Sequence, residues 1–394
     1  MYPKKIMVRV LRAKSSFRTF AFPMSIILFA VFQIACGDSR TKVADTRERP
    51  GRWSEKKANE WYGQHPWIVG CNFVPSTAVN QLEMWQKETF DLETIDRELG
   101  WAQQIGFNTV RVFLHNLVWE ENPDGFKDRM DQFLKVAKDH QIKVIVTFFT
   151  NGTFDDVLVP ALGRQNPPIP GVHNSGWVQS PGSEIVNDPT QWGPLEAYIK
   201  DVVGTFKDDH RILFWSLYNE PENPKRGAQS LPLLRKVFEW ARSENPSQPL
   251  TAPIWKIPGE HRTALDIVSF LGENSDIITF HSYHDTETTK RFIQLLNVFQ
   301  RPMICTEYMG RTLGSTFENT MPIFKNADIG AISFGLVAGK ANFHYPWGSE
   351  QGAPEPELWF HDIFRKDGSP YSEVEIGFIK NMTGIDRDGH ATIY

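Results

Sequence analysis

The chain has 394 residues, of which 41% are hydrophobic, 13% aromatic and 23% charged, with a net charge of -5. That length carries one large α/β domain or two small ones, and nothing in the slightly acidic balance argues for a nucleic-acid partner. Only 3 cysteines are present, which excludes a disulfide scaffold, so stability must come from a large apolar core.

The chain opens with Lys4, Lys5, Arg9, Arg12, Lys14 and Arg18, followed by an apolar run over 20–35 broken by Pro23, Ser25 and Gln33. A basic segment ahead of a hydrophobic one too short for a comfortable membrane span predicts a signal peptide over 1–36 and an exported protein. The run ends Gln33-Ile34-Ala35-Cys36-Gly37-Asp38-Ser39, and a small residue ahead of a cysteine resembles the cleavage and lipidation box of bacterial lipoproteins. That resemblance implies a lipid anchor at Cys36 as the chain's one contact with a membrane, in the outer membrane or periplasm. A plain secretory signal is the other reading. The stretch 39–57 is charged with few large apolar residues, so 37–62 reads as a flexible tether to a domain spanning 63–394.

Eight strand-like runs follow, at 67–73, 109–114, 143–149, 212–218, 250–255, 277–283, 302–308 and 331–337. Helical spacing lies between them. Ile95, Leu99, Ala102 and Ile105 recur at three and four, with Gly106 as a stop, and Phe126, Met130, Phe133, Leu134 and Ala137 repeat the pattern. Leu233, Leu234, Val237 and Phe238 continue it, as do Phe292, Leu295, Leu296 and Phe299. Eight strands alternating with helices predict a single (β/α)8 TIM barrel. The open doubly wound alternative wants a glycine-rich phosphate turn after an early strand, and the sequence has none. Cys71 and Cys305 fall inside strand runs, as buried thiols do. A long loop rich in Pro and Gly follows the third strand, over 151–194, and is expected on the catalytic face.

Two of the runs end on a carboxylate. Ile212-Leu213-Phe214-Trp215-Ser216-Leu217-Tyr218-Asn219-Glu220-Pro221 and Pro302-Met303-Ile304-Cys305-Thr306-Glu307-Tyr308 are apolar along their length, as strands buried on both faces are. Chemistry in such barrels sits at the C-terminal strand tips. Two acids from opposite strands, one holding its proton and one ionised, are what cleavage of a glycosidic bond requires.

Asn219-Glu220-Pro221 at the fourth strand tip with Glu307 at the seventh resembles the retaining glycoside hydrolases of clan A, and the cellulase-like enzymes of family 5 most of all. The resemblance runs from about residue 67 to the C-terminus. It implies Glu220 as acid/base, Glu307 as nucleophile, Arg111 as the cation steadying Glu307, and His281 and Tyr283 as supporting groups, with Tyr283 donating to Glu307. It implies a carbohydrate substrate and no cofactor. The sequence departs from the family at the third strand tip, where a histidine is usual and Phe148-Phe149-Thr150-Asn151 stands, and at the eighth, which ends Phe334-Gly335-Leu336-Val337 where a tryptophan is usual. His115 is the expected substitute for the first. Asn151, His173, Trp177, Asn219, Trp255 and Trp347 complete the candidate substrate contacts, because aromatic faces and amides suit pyranose rings. Trp85, Trp119 and Trp192 are further loop aromatics of the same kind, whereas Trp101, Trp215 and Trp240 read as core. Glu222, Asp285 and Glu287 read as solvated loop charges. The 11 histidines show no metal-ligand spacing, so no metal is expected. Two other functions fit the same residues: a surface lipoprotein that binds glycans without cleaving them, and a transglycosidase.

Overall fold

The computed structural model describes residues 51–151, 159–223, 226–257 and 264–385. The expected signal peptide and Cys36 lie outside them. The strands are β1 (Val69–Asn72), β2 (Thr109–Phe113), β3 (Lys143–Thr150), β4 (Ile212–Asn219), β5 (Leu250–Thr251), β6 (Ile278–His281), β7 (Met303–Tyr308) and β8 (Gly330–Phe334). They form one parallel sheet in the order β5-β4-β3-β2-β1-β8-β7-β6. A bridge from Ile254 to Phe280 brings the two ends together, so the sheet is a (β/α)8 barrel.

Burial explains why apolar runs marked the strands. All of β1, β2, β7 and β8 is buried, since helices cover the outside and side chains fill the inside. The helices Leu92–Gln104, Pro123–Asp139, Leu231–Ser243 and Thr286–Leu296 turn the predicted apolar faces onto the sheet. Gly106, at φ +80, takes the left-handed conformation that ends the first of these at low cost. The fifth run is shorter than expected. β5 stops at Thr251, because Pro253 has no N–H for the ladder, and Ile254 makes only an isolated bridge.

The expected tether needs correction over its described part. From residue 51 the chain is built into the domain. Ser54 caps a helix, Glu55–Tyr62, whose buried residues Ala58 and Tyr62 join Trp53 against Ile145, Phe214, Ile304 and Ile332. The last four lie near the starts of their strands, so this segment covers the barrel end opposite Glu220 and Glu307. Trp53 N–H also donates to Asp276 (2.9 Å), and Arg301 donates to the Trp53 carbonyl (2.9 Å).

The long segment after β3 holds more regular structure than expected, with short helical turns at Ser183–Val186 and Pro189–Gln191 and the start of the helix Gly193–Phe206.

One acid is buried within the scaffold. Glu98, on the helix Leu92–Gln104, accepts the Ser76 N–H with both carboxylate oxygens (3.3 and 3.1 Å), and burial raises its pKa to about 7. The folded protein therefore keeps a proton that the unfolded chain releases near 4.5. This favourable difference is complete below pH 4.5 and lost as pH rises through 7, a change of about 3 kcal/mol. Glu98→Gln keeps the shape and one acceptor while removing the ionisation. Its melting temperature should therefore fall less than wild type's between pH 5 and pH 8. Parallel curves in thermal unfolding at the two pH values would contradict this.

Candidate active site

Glu220 lies just past the end of β4 in a left-handed backbone conformation (φ +45). For a residue with a Cβ this costs about 1–2 kcal/mol, and such strain persists where the surroundings hold it. Pro221 fixes the exit of the chain, and the Asn223 N–H closes the turn on the Glu220 carbonyl (2.9 Å). Asn151 donates from its amide nitrogen to the Pro221 carbonyl (2.8 Å) and accepts from the Tyr218 hydroxyl (2.6 Å). It thus supports the Glu220 turn from behind, outside the cavity that the candidate site encloses.

Glu307 stands in β7 between two irregularities of the ladder. The β6–β7 register shifts between Phe280 and His281, and the β7–β8 register between Cys305 and Tyr308. Such bulges commonly re-aim side chains beside active sites. Here His281 pairs directly with Glu307.

The expected supporting groups converge on the two acids. Arg111 in β2, fully buried, donates to Glu307 Oε1 (2.9 Å), to Asn72 Oδ1 (2.9 Å) and to Asn219 Oδ1 (2.6 Å). The Tyr283 hydroxyl donates to Glu307 Oε2 (3.0 Å). His281 Nδ1 is hydrogen-bonded to Glu220 Oε1 at 2.5 Å and lies 3.5 Å from Glu307 Oε2. Asn223 donates to Glu220 Oε2 (2.7 Å).

Electrostatics separates the two carboxyls. Burial pushes Glu220 up to about 7, with Asn223, Arg111 and Lys256 opposing. Burial raises Glu307 too, and the neighbouring Glu220 adds to the rise, against the pull of Arg111 and the Tyr283 hydroxyl. The two acids cannot both be charged at low cost in one dry site. Arg111 touches only Glu307, so the single negative charge belongs there and the shared proton on Glu220. Burial takes His281 down to about 3, so it is a neutral ring between them. Ligand atoms of Glu220, His281 and Glu307 all lie within 4.8 Å of one another, close enough to enclose a metal ion, but the Arg111 guanidinium already supplies the positive charge there.

A cavity of about 170 Å³ opens over the pair. Glu220, Glu307, Asn219, Tyr283, His173, Trp177, Trp255 and Trp347 line it, which places most of the candidate contacts together. Trp347, 40% exposed, sits edge-on to Tyr283 with ring centroids 4.9 Å apart.

Besides Asn151, three expectations are corrected. His115 does not replace the missing histidine. It is fully buried, accepts the Leu117 N–H at the start of the helix Asn116–Glu121 and donates from Nε2 to the Gln179 carbonyl (2.8 Å). Trp85, Trp119 and Trp192 pack elsewhere, Trp85 among Phe90, Phe126 and Phe133. Glu222 is no solvated charge either: it is 2% exposed, and burial raises it to about 7. The structure adds lining residues that the sequence reading passed over, among them Phe113, Asn223 and His361. Asn223 was legible, being three residues beyond Glu220. His361 was not, because it follows the last strand by 27 positions and only the folded chain returns it to the barrel mouth.

A parallel barrel with two buried acids facing one another at its C-terminal mouth is the architecture of a glycoside hydrolase. The family model described as cellulase (glycosyl hydrolase family 5) matches residues 70–335, and the chain belongs to that family. No curated protein matches it. Among solved structures, the chain is similar to the GH5_18 enzyme of Streptomyces cattleya in complex with GlcNAc (14% identity, 81% of this chain and 80% of that one, TM-score 0.55). It is also similar to the endo-β-1,4-mannanase of Thermotoga petrophila (13% identity, 82% and 78%, TM-score 0.54). The exo-β-1,4-mannosidase of Opitutaceae bacterium strain TAV5 is a third (16% identity, TM-score 0.56); 86% of this chain covers 62% of that longer one. At such identities the likeness shows a shared fold alone.

Proposed function

We propose that the chain is a retaining β-glycoside hydrolase acting by double displacement, with Glu307 as nucleophile and Glu220 as acid/base. The observation that carries this reading is separation: carboxylate oxygens of the two acids approach within 4.8 Å. Retaining enzymes hold their carboxyls roughly 5–5.5 Å apart, while inverting ones need roughly 6.5–9.5 Å to seat a water between acid and sugar.

Glu307, kept anionic by Arg111 and Tyr283, attacks the anomeric carbon. Glu220 gives its proton to the departing glycosidic oxygen, so the bond breaks without releasing an alkoxide. Glu220 is then ionised and takes a proton from a water that attacks the same carbon, freeing Glu307 and regenerating the acid. His281 and Asn223 hold the Glu220 carboxyl in place throughout. The solved neighbours named for β-1,4-mannosidic linkages make β-mannosides the first substrates to assay. Export, with a lipid at Cys36, belongs to the same proposal and rests on the N-terminal residues alone.

Proton NMR of a cleaved aryl β-glycoside, drawn from a panel of mannosides, glucosides and other β-linked sugars, tests the reading. The first sugar formed should be the β-anomer, with the α-anomer growing later by mutarotation. The α-anomer appearing first would rule out double displacement, and a larger oligosaccharide as the main product would mark transfer to an acceptor sugar.

A further inference from the structure

Around the cavity, away from Glu220, stands a group of hydrogen-bond acceptors with nothing to accept. His361 donates from Nδ1 to the Met309 carbonyl (2.5 Å), and His173 donates from Nδ1 to the Tyr345 carbonyl (2.7 Å). Burial holds both rings neutral, His173 near 4 and His361 well below its ordinary value. With the proton committed to Nδ1, each Nε2 is an acceptor, and neither makes a hydrogen bond among the described residues. The rings are neighbours, their centroids 5.4 Å apart. Beside them Asn174, in a left-handed conformation at φ +48, has its Oδ1 buried and unpartnered. A buried acceptor without a partner needs an explanation, and a hydroxyl donor in the adjoining cavity supplies one.

The wall carrying these groups is a lock between two loops. The Asn174 N–H donates to the Ala341 carbonyl (2.9 Å), the Gly352 N–H to the Pro170 carbonyl (2.8 Å), and the Asn342 side chain to the Val172 carbonyl (3.2 Å). Gly171, at φ +79, lies so near Ala353 that a Cβ there would stand 2.5 Å from its nitrogen. The segments after β3 and β8 are therefore fastened together across this side of the mouth.

The side matters. Glu220 protonates the leaving oxygen, so the leaving group lies with Glu220, Asn223 and Trp255. The ring whose anomeric carbon meets Glu307 extends the other way, past Tyr283 toward His361, whose centroid is 5.6 Å from the tyrosine ring. The geometry points to a blind pocket for one terminal, non-reducing sugar, with Asn174, His173 and His361 reading its hydroxyls, so that the enzyme cuts from the chain end. This inference rests on the hydrolase reading and extends it. Acceptors pair with O–H groups, which a terminal sugar presents. A sugar in mid-chain replaces one of them by an ether oxygen, which only accepts, and its next ring would have to pass the loops fastened together on this side.

Two assays test it, using the β-glycosidic sugar that the wild-type protein hydrolyses. A reducing-end-labelled β-1,4-linked hexasaccharide should lose one residue at a time, giving the labelled pentasaccharide and monosaccharide first. Labelled di- and trisaccharides at early times would overturn the inference and leave the hydrolase reading intact, whereas no cleavage of any β-glycoside would bring down the underlying reading. In the second assay, aryl glycosides lacking one ring hydroxyl at a time are compared with the parent. Wild type should disfavour at least one of them by about 100-fold in kcat/KM. Asn174→Gly, which suits the positive φ and removes the side-chain amide, and His361→Phe should each reduce that preference to under tenfold. Preferences identical to wild type in both variants would refute the reading role.

Discussion

Glu307→Ala should lower kcat on every β-glycoside by about four orders of magnitude or more, because it removes the group that forms the covalent bond. The loss should be indifferent to the leaving group, since without a nucleophile no leaving group has anything to displace it. The substitution also strips Arg111 of its one carboxylate partner, leaving a fully buried cation with only Asn72, Asn219 and Ser216 around it. Breaking a buried pair from one side commonly costs about 3–5 kcal/mol. Instability would then imitate loss of chemistry. Glu307→Gln helps separate the two effects: its amide oxygen can still accept from Arg111, so the thermal transition should fall less than in Glu307→Ala while turnover is lost all the same. Azide supplies a further test. Entering the space vacated in Glu307→Ala, it reaches the carbon from the nucleophile's side and should convert an activated aryl β-glycoside to the α-glycosyl azide. Activity of either variant near wild type would remove Glu307 from the mechanism.

The two converging acids were legible for a physical reason. A strand buried on both faces can only be written in apolar residues, so a carboxylate at its end stands out, and the barrel's symmetry assigns the tips of β4 and β7 to one mouth. Arg111, His281 and Tyr283 were read through the resemblance. The structure shows why those residue types are there: a cation, a neutral ring and a hydroxyl divide one charge between two acids. What escaped the sequence depends on surroundings it does not display. His115 stands just past a strand tip, as site residues do, but a helix begins at the next residue and turns its ring into the first-turn cap. Glu222 looks like any loop acid, and only the packing above β4 buries it. The helix Glu55–Tyr62 offers few apolar residues among Lys and Glu, so its burial depends on the apolar barrel end that it covers. Most of the sugar-reading wall comes from loops whose pairing, residue 174 with 341 and 170 with 352, spans more than 160 positions and leaves no local pattern.

Glu220→Gln should divide substrates by the quality of their leaving groups. An alkyl or sugar alkoxide needs a proton as it departs, so turnover of such substrates should fall by about 10²–10⁴. A nitrophenolate leaves without help, so the first step on its glycoside should survive. Release of the sugar from Glu307 then becomes slow, because no base is left to activate water, and a burst of nitrophenol equal to the enzyme concentration should precede a slow steady state. The pH profile carries the same information. Wild-type Glu220 is raised from 4.5 to about 7, so the acid form needed for bond breaking persists below neutrality and is lost as pH rises through 7. The kcat/KM of wild type on an alkyl glycoside should accordingly decline above about pH 7, and the variant's residual activity should show no such limb. Azide should intercept the glycosyl-enzyme from the face that Glu220 serves, giving the β-glycosyl azide, opposite to the product expected from Glu307→Ala. Equal loss on good and poor leaving groups, with the alkaline limb unchanged, would show that the proton comes from another group, and Glu222, two residues away and itself raised to about 7, would be the next acid to replace.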